Sequence, residues 1–371
     1  MGLRGYVPCM FQTDSHPVDK DARKGRAAGS NASGRFETHE RVPEADGWDI
    51  VEETGQIRTQ VRDEQARSLI SYNKSPDLPF DRSINPYRGC EHGCIYCFAR
   101  PTHAYLGLSA GLDFETRLIA RPNAALILAE ELGRKSYRVA PIAIGTNTDP
   151  YQPIEKQRGI MRECLEVLWE HRHPVAIVTK GTGILRDLDI LRKMAKLGLV
   201  RVGVSITTLD RDIARTMEPR VPAPEKRLEV VRSLARAQIP VRVMVSPVVP
   251  GLTDSEVEAI LTAGQSAGAS SASWIMLRLP REVSPLFQDW LAEHYPNRAA
   301  RVMARLREMH GGKEYASDWH RRMRGEGPYA AMIGQRFKAA ARRLGLDQAQ
   351  PALRCDLFRV PVKPGEQLSL F

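Results

Sequence analysis

Six short runs of apolar or β-branched residues recur between positions 83 and 280, and their alternation with helical segments constrains the fold more than any other feature. The runs are SINPYRG, APIAIGTNTDP, PVAIVTKG, VRVGVSITTLD, VRVMVSPVVPG and SASWIMLRLP. Between most of them lie stretches of helical period, such as NAALILAEELGRK, GIMRECLEVLWEHR, LRDLDILRKMAKLG, EKRLEVVRSLARAQ and TDSEVEAILTAGQSAG. Strand and helix in alternation imply a parallel sheet with right-handed crossovers, so the class is α/β. Six strands fit an open doubly wound sheet or a partial barrel of the (β/α) type. Polar residues collect where the strands run out: Thr146 to Asp149, Thr179 and Lys180, Ser205 to Thr208, Ser246 and Arg278. In parallel α/β architectures that edge is the active face.

The flanks read differently. Residues 1–79 are polar and loop-rich, including KGRAAGSNASGRFE, and are expected to form an extended or partly disordered basic arm. The barrel is expected over 80–285, a basic helical extension over 286–346, and a proline-spotted tail over 347–371. No internal repeat is evident. The start lacks an apolar stretch of signal-peptide length, and no run is long enough to span a bilayer, so the expectation is a cytoplasmic protein without membrane contact. Fifty-four Lys and Arg against 44 Asp and Glu leave a net charge of +10. Basic residues of the extension, among them Arg298, Arg301, Arg321, Arg322, Arg324, Lys338 and Arg343, interleave with Tyr315, Trp319, Tyr329 and Phe337. That mixture suits phosphate contact with base stacking, and it equally suits amphipathic helices with a solvated face.

Three of the six cysteines, Cys90, Cys94 and Cys97, fall in one loop, RGCEHGCIYCFAR, directly after the first strand. They are too close together for a disulfide framework, so metal or redox chemistry is the reading. Gly89 and Gly93 permit tight turns there. A structural zinc site closes with four ligands; His92, His103, Cys164 or Cys355 would have to supply the fourth, none at a customary zinc spacing. A [4Fe–4S] cluster on three cysteines instead leaves one iron open to a small molecule. A plain electron-transfer cluster is the third alternative.

The C-x3-C-x2-C spacing, with Tyr96 directly before the last cysteine, resembles the signature loop of radical S-adenosylmethionine (radical SAM) enzymes, and the likeness runs from about Ser83 to Pro280. The resemblance implies a partial (β/α)6 barrel, a [4Fe–4S] cluster on Cys90, Cys94 and Cys97, and SAM chelated by the open iron. It implies reductive cleavage of SAM to a 5′-deoxyadenosyl radical, fed by a reducing electron donor. GTNTDPYQPIE, TKG, VSITTLD and MEPRVPAPEKRL narrow it to the spore photoproduct lyase-like group. By that likeness Tyr96 lines the adenine side, Lys180 neutralises the SAM carboxylate, and Ser205 hydrogen-bonds the same group. The Gly-Gly-Glu segment usual at the second strand is absent. Thr148 and Asp149 stand there, with Asp149 expected to accept from the ammonium. Asp149, Pro150 and Pro153 also suit a helix start.

No hydrogen-donor cysteine is visible near a strand end. Cys164 lies in a helical pattern, Cys9 in the arm and Cys355 in the tail, so the lyase reaction itself is not implied. The substrate class expected is damaged or modified nucleic acid. The alternatives are radical SAM chemistry on a peptide or metabolite, and a non-catalytic iron–sulfur scaffold. The chain ends in GEQLSLF, where Gln367, Leu368, Ser369, Leu370 and Phe371 resemble the peptide by which bacterial repair proteins and polymerases bind the DNA sliding clamp. The glutamine amide would enter a polar notch, and Leu368, Leu370 and Phe371 would fill an apolar groove.

Overall fold

Strand faces alternate with a period of two, and VRVMVS shows what that does here. Val241, Val243 and Val245 are buried beneath the helices, while Arg242, Met244 and Ser246 point the other way, into the barrel. The computed structural model describes residues 18–37 and 55–361. Its first five strands are β1 (Gln60–Asp63), β2 (Ile70–Tyr72), β3 (Arg82–Ile84), β4 (Tyr87–Arg88) and β5 (Arg117–Ala120). The second five are β6 (Ile142–Ile144), β7 (Val175–Thr179), β8 (Val200–Ser205), β9 (Val241–Val248) and β10 (Ser271–Met276).

One sheet runs in the order β10-β9-β8-β7-β6-β3-β2. Its strands β3, β6, β7, β8, β9 and β10 are parallel, and β2 pairs antiparallel with β3. These are the six runs read from the sequence, and their curvature makes a partial barrel. A small sheet, β1-β5-β4, flanks the start of the cysteine loop.

The connections supply the outer layer. In chain order the helices begin with α1 (Leu112–Thr116), α2 (Ala124–Leu132), α3 (Glu155–Arg158) and α4 (Ile160–Glu170). Next come α5 (Leu188–Lys196), α6 (Arg211–Met217), α7 (Pro224–Arg236) and α8 (Val257–Ser266). Gly264 of α8 lies so close to β9 that a Cβ there would sit 2.8 Å from Val243. The extension holds α9 (Val283–His294), α10 (Pro296–Met309), α11 (Arg321–Arg324) and α12 (Gly327–Arg343). Helix α12 packs on α8 and α11 on β10, so the extension covers the β10 edge.

Two findings concern the flanks. Parts of the stretch expected as a loose arm are built into the body. Ala27 and Ala28 are buried, their amides donate to Glu115, and β1 and β2 come from the same stretch. The reason is the long polar side chains: Arg26 spends its guanidinium on the Glu115 and Ile57 carbonyls and on Thr59, which composition does not reveal. At the other end, residues 354–359 cross the face where strands begin, with Arg354 N–H on Gly198 O at 3.0 Å and Arg359 N–H on His171 O at 2.9 Å. The clamp-like residues Gln367, Leu368, Leu370 and Phe371 lie outside the described residues. Among the described residues no helix is long and apolar enough to cross a membrane.

Candidate active site

The loop between β3 and α1 is shaped by two glycines and one arginine. Gly89 and Gly93 have φ of +74° and +65°, and a Cβ at Gly93 would fall 2.6 Å from Glu115. Arg100, fully buried, donates to the carbonyls of Gly93, Cys94, Ala110 and Gly111 at 2.9–3.0 Å and to Glu115 at 2.6 Å. Five backbone and side-chain acceptors are thus drawn to one rigid fork, which matches the donor geometry of a guanidinium. The cysteines hang from this frame. Cys90 and Cys94 are buried and Cys97 half-buried, and all three face one pocket at the C-terminal ends of the strands.

The pocket's other walls come from the strand ends in order. After β6 come Gly145 to Asp149; a Cβ at Gly145 would lie 1.9 Å from the Val178 carbonyl, so only glycine passes β7 there. Thr179 and Lys180 follow from β7 and Ser205 from β8, and Ser246 and Arg278 stand on the far wall. All eight residues read from the sequence as site residues, Cys90, Cys94, Tyr96, Cys97, Thr148, Asp149, Lys180 and Ser205, line this one pocket.

Their hydrogen bonds define what each has left to offer. Asp149 accepts from Thr179 Oγ1 at 2.6 Å, Lys180 N at 2.7 Å and Tyr151 N at 2.9 Å, and lies 3.3 Å from His92 Nδ1. Burial alone would raise its pKa, but His92, Thr179 and the Lys180 amide hold it down at about 2. Four donors fill a carboxylate. Asp149 therefore ties β6 to β7 and fixes the Lys180 backbone. It caps the turn at Tyr151, while the helix expected to start there begins only at Glu155. Ser205 gives its proton to the Ser246 carbonyl at 2.8 Å, and Thr148 Oγ1 gives its own to Tyr87 O at 3.3 Å.

Lys180 differs from these. Among the described residues no carboxylate lies within ion-pair distance of its ammonium, which sits 5.8 Å from the Tyr96 ring. Burial would lower its pKa, but Cys94, Glu218 and Asp149 together raise it, so the cation persists. Tyr96 is anchored through its hydroxyl to Glu218 and Thr207. Glu218 in turn accepts from Thr207 at 2.9 Å and Arg227 at 2.6 Å.

Glu218, Arg100 and Glu115 were not singled out by sequence reasoning, which took His92 only as a candidate fourth zinc ligand and Arg278 only as a polar strand end. Glu218 lies inside MEPR, whose value was visible only as a likeness. Arg100 and Glu115 are fifteen residues apart, and nothing in their spacing says that they meet. Cys164 is wholly buried in α4, as a core residue.

The residues fit an iron–sulfur centre. Burial pushes the Cys90 thiol well up and that of Cys94 to about 12, and a cationic centre would offset that penalty. Among the described residues no three Cys, His, Asp or Glu side chains converge as a single metal ion requires. Three thiols lining one pocket are the donor set that a cluster takes.

Comparison with known proteins decides the family. Residues 84–263 match the Radical SAM superfamily, and an uncharacterized protein of Mycobacterium tuberculosis is 38% identical over 256 residues, 68% of this chain and 74% of that one. The chain belongs to the radical SAM superfamily. Its cofactors are accordingly a [4Fe–4S] cluster and SAM, and it is an enzyme. An uncharacterized protein of Methanocaldococcus jannaschii is 26% identical over 62% of this chain and 82% of its own. Spore photoproduct lyase complexed with dinucleoside spore photoproduct superposes with a TM-score of 0.53 at 14% identity, covering 76% of this chain and 79% of that one. A variant of that lyase with bound AdoMet and dinucleoside spore photoproduct gives the same TM-score. At that identity the likeness is one of fold.

Proposed function

We propose that this pocket is a radical SAM active site in which Cys90, Cys94 and Cys97 hold the cluster and Lys180 takes the SAM carboxylate. The observation that carries the reading is the company these groups keep: three thiols and an unpaired ammonium share one pocket at the active face of a parallel barrel. When bound, the cluster and SAM supply reductive cleavage to a 5′-deoxyadenosyl radical, which takes hydrogen from a substrate. The chain's own part is to place and to shield. Arg100 and Glu115 hold the cysteine loop rigid, and Asp149 presents Lys180 through its backbone amide. Glu218 and Thr207 fix the Tyr96 ring at the adenine side, and Ser205 with Thr148 joins neighbouring strand ends. Replacing Lys180 by Met should weaken SAM binding at unchanged iron content. Equal SAM affinity in that variant would remove Lys180 from the site.

For the substrate we favour nucleic acid. The +10 charge supports it, and so does the rim of the pocket. There Met323 forms wall, and Trp319, four residues before it in sequence, is 59% exposed, an aromatic face open to stacking. Other members of the basic–aromatic mixture are spent internally: Arg305 lies over Tyr329, Phe337 packs on Trp274, and Arg336 pairs with Glu258. A base in a duplex would have to leave its stack to enter. Binding of a single-stranded oligonucleotide with steep salt dependence tests this reading, and its absence would leave a peptide or metabolite. The terminal Gln367, Leu368, Leu370 and Phe371 fit the same setting as a sliding-clamp peptide. A labelled GEQLSLF peptide should bind a bacterial clamp, and lose binding when Phe371 is replaced by Ala.

A further inference from the structure

Arg278 stands at the end of β10, on the pocket wall farthest in the sheet from the cysteine loop's strand. Its guanidinium lies over the Phe98 ring, 4.1 Å from the centroid. Among the described residues it has no carboxylate within ion-pair distance and no hydrogen bond. Asp77, the carboxylate that acts on it, is already spent, held by Arg322 at 2.6 and 2.7 Å. Burial and the neighbouring Arg322 pull the Arg278 pKa down, against the opposing influence of Tyr315, Asp77 and Cys97. A guanidinium stays charged at any physiological pH, so this is a desolvated cation facing the cavity with no carboxylate paired to it among the described residues.

A second group on the same wall is also unsatisfied. Ser246 Oγ is buried, lines the pocket and has no hydrogen-bond partner. A cation with a planar donor fork is an oxyanion seat, and the Ser246 hydroxyl is a second unsatisfied donor lining the same pocket. Phe98, 43% exposed, carries the guanidinium over its ring as a cation–π partner. The three cysteines and Tyr96 follow β3, and the other residues assigned to SAM stand at the ends of β6, β7 and β8. Arg278 and Ser246 are assigned to neither cofactor, even with the Arg278 guanidinium on Phe98, the residue after Cys97.

We propose that Arg278, with Ser246, is the seat of a backbone phosphodiester of the nucleic-acid substrate, placed beside the base that enters the pocket. This rests on the nucleic-acid reading given above. A single phosphate oxygen pair meets the fork of Arg278, and the Ser246 hydroxyl donates to the same group. Arg278 is thus a substrate-binding residue and takes no part in holding the cluster.

The test uses the full-length, anaerobically reconstituted protein and a labelled oligothymidylate of about eight nucleotides. Arg278→Gln should keep the wild-type iron content and melting temperature but bind the oligonucleotide roughly 10- to 100-fold more weakly. The slope of log K against log salt should become shallower by about 0.7, the share of one phosphate on a single strand. Arg278→Lys should keep the slope and regain part of the affinity, and Lys193→Gln, exposed on α5, should leave affinity unchanged. An oligonucleotide carrying one neutral methylphosphonate linkage should lose affinity for the wild type at one linkage position and not for Arg278→Gln, a readout independent of how the variant folds.

If the wild type binds and Arg278→Gln binds equally with an unchanged slope, the seat is refuted while the nucleic-acid reading stands. If the wild type does not bind any oligonucleotide, both fall. If Arg278→Gln shifts the cluster's reduction midpoint and leaves oligonucleotide binding intact, Arg278 is a counter-charge to the cluster and the proposal is overturned.

Discussion

Replacing Glu115 by Gln isolates the frame of the cysteine loop from its chemistry. Both Glu115 and Arg100 are wholly buried, at 2.6 Å, and Glu115 also accepts the amides of Ala27 and Ala28 at 3.1 and 3.0 Å. The amide keeps the shape and removes the charge, leaving Arg100 as an unpaired cation in the interior. Removing one partner of a buried pair costs about 3–5 kcal/mol. For 371 residues, an unfolding entropy of about 2.1 cal/mol/K per residue gives about 0.8 kcal/mol/K, so the melting temperature should fall by about 4–6 °C. The assay is thermal unfolding by circular dichroism on protein without its cluster, so that cluster occupancy does not enter. The control is Glu308→Gln, which breaks the solvent-screened Arg305–Glu308 pair and should leave the melting temperature near that of the wild type. Because Arg100 also holds the Gly93 and Cys94 carbonyls, Glu115→Gln should further lower the iron retained after reconstitution. A melting temperature within about 1 °C of wild type would show that the pair does not organise the loop.

Four further outcomes follow from the geometry. Gly145→Ala should abolish folding or SAM binding, since its Cβ would meet the Val178 carbonyl at 1.9 Å, and soluble yield with SAM titration reads it. Asp149 titrates at about 2, below the ordinary 3.8, so its stabilising contribution is complete above the ordinary value and is lost as pH falls towards 2. Asp149→Asn should show a flatter acid limb in urea midpoints. Burial lowers the His173 pKa from 6.5 to about 4, so the unfolded chain binds the extra proton first. Stability should fall by about 3 kcal/mol as pH drops through that window, and His173→Gln should remove most of the slope. Asp77→Asn frees the 73–80 segment from Arg322 beside the pocket mouth, and hydrogen exchange there should quicken while that of β8 stays unchanged.

Strand and helix were legible where they obey simple periods. All six barrel strands follow from short β-branched runs bounded by glycine and proline, and the helices between them from apolar spacing. The site residues on the strand ends were legible for the same reason: topology alone brings Thr148, Asp149, Lys180 and Ser205 to one rim. What those residues do with their atoms was not. Asp149 reads in the sequence as an acceptor for the SAM ammonium or as a helix cap, yet Thr179, Lys180, Tyr151 and His92 converge on it in the fold. The short strand β1 escaped because it forms only by pairing with β5, a partner distant in sequence, and β4 was read as one strand with β3 within SINPYRG although it too pairs with β5. Arg278 was visible as a polar strand end, but its lack of a partner is a property of the whole cavity.

The central claim is that one pocket holds a cluster on Cys90, Cys94 and Cys97 and SAM beside it. Anaerobic electron paramagnetic resonance of the reduced protein, with and without SAM and alongside an assay for 5′-deoxyadenosine, tests it most directly. The account predicts a [4Fe–4S] signal that changes when SAM is added, with reductant-dependent 5′-deoxyadenosine, and loss of both on replacing any one of the three cysteines by Ala. A signal indifferent to SAM, or a cluster that persists when all three cysteines are replaced, would contradict it.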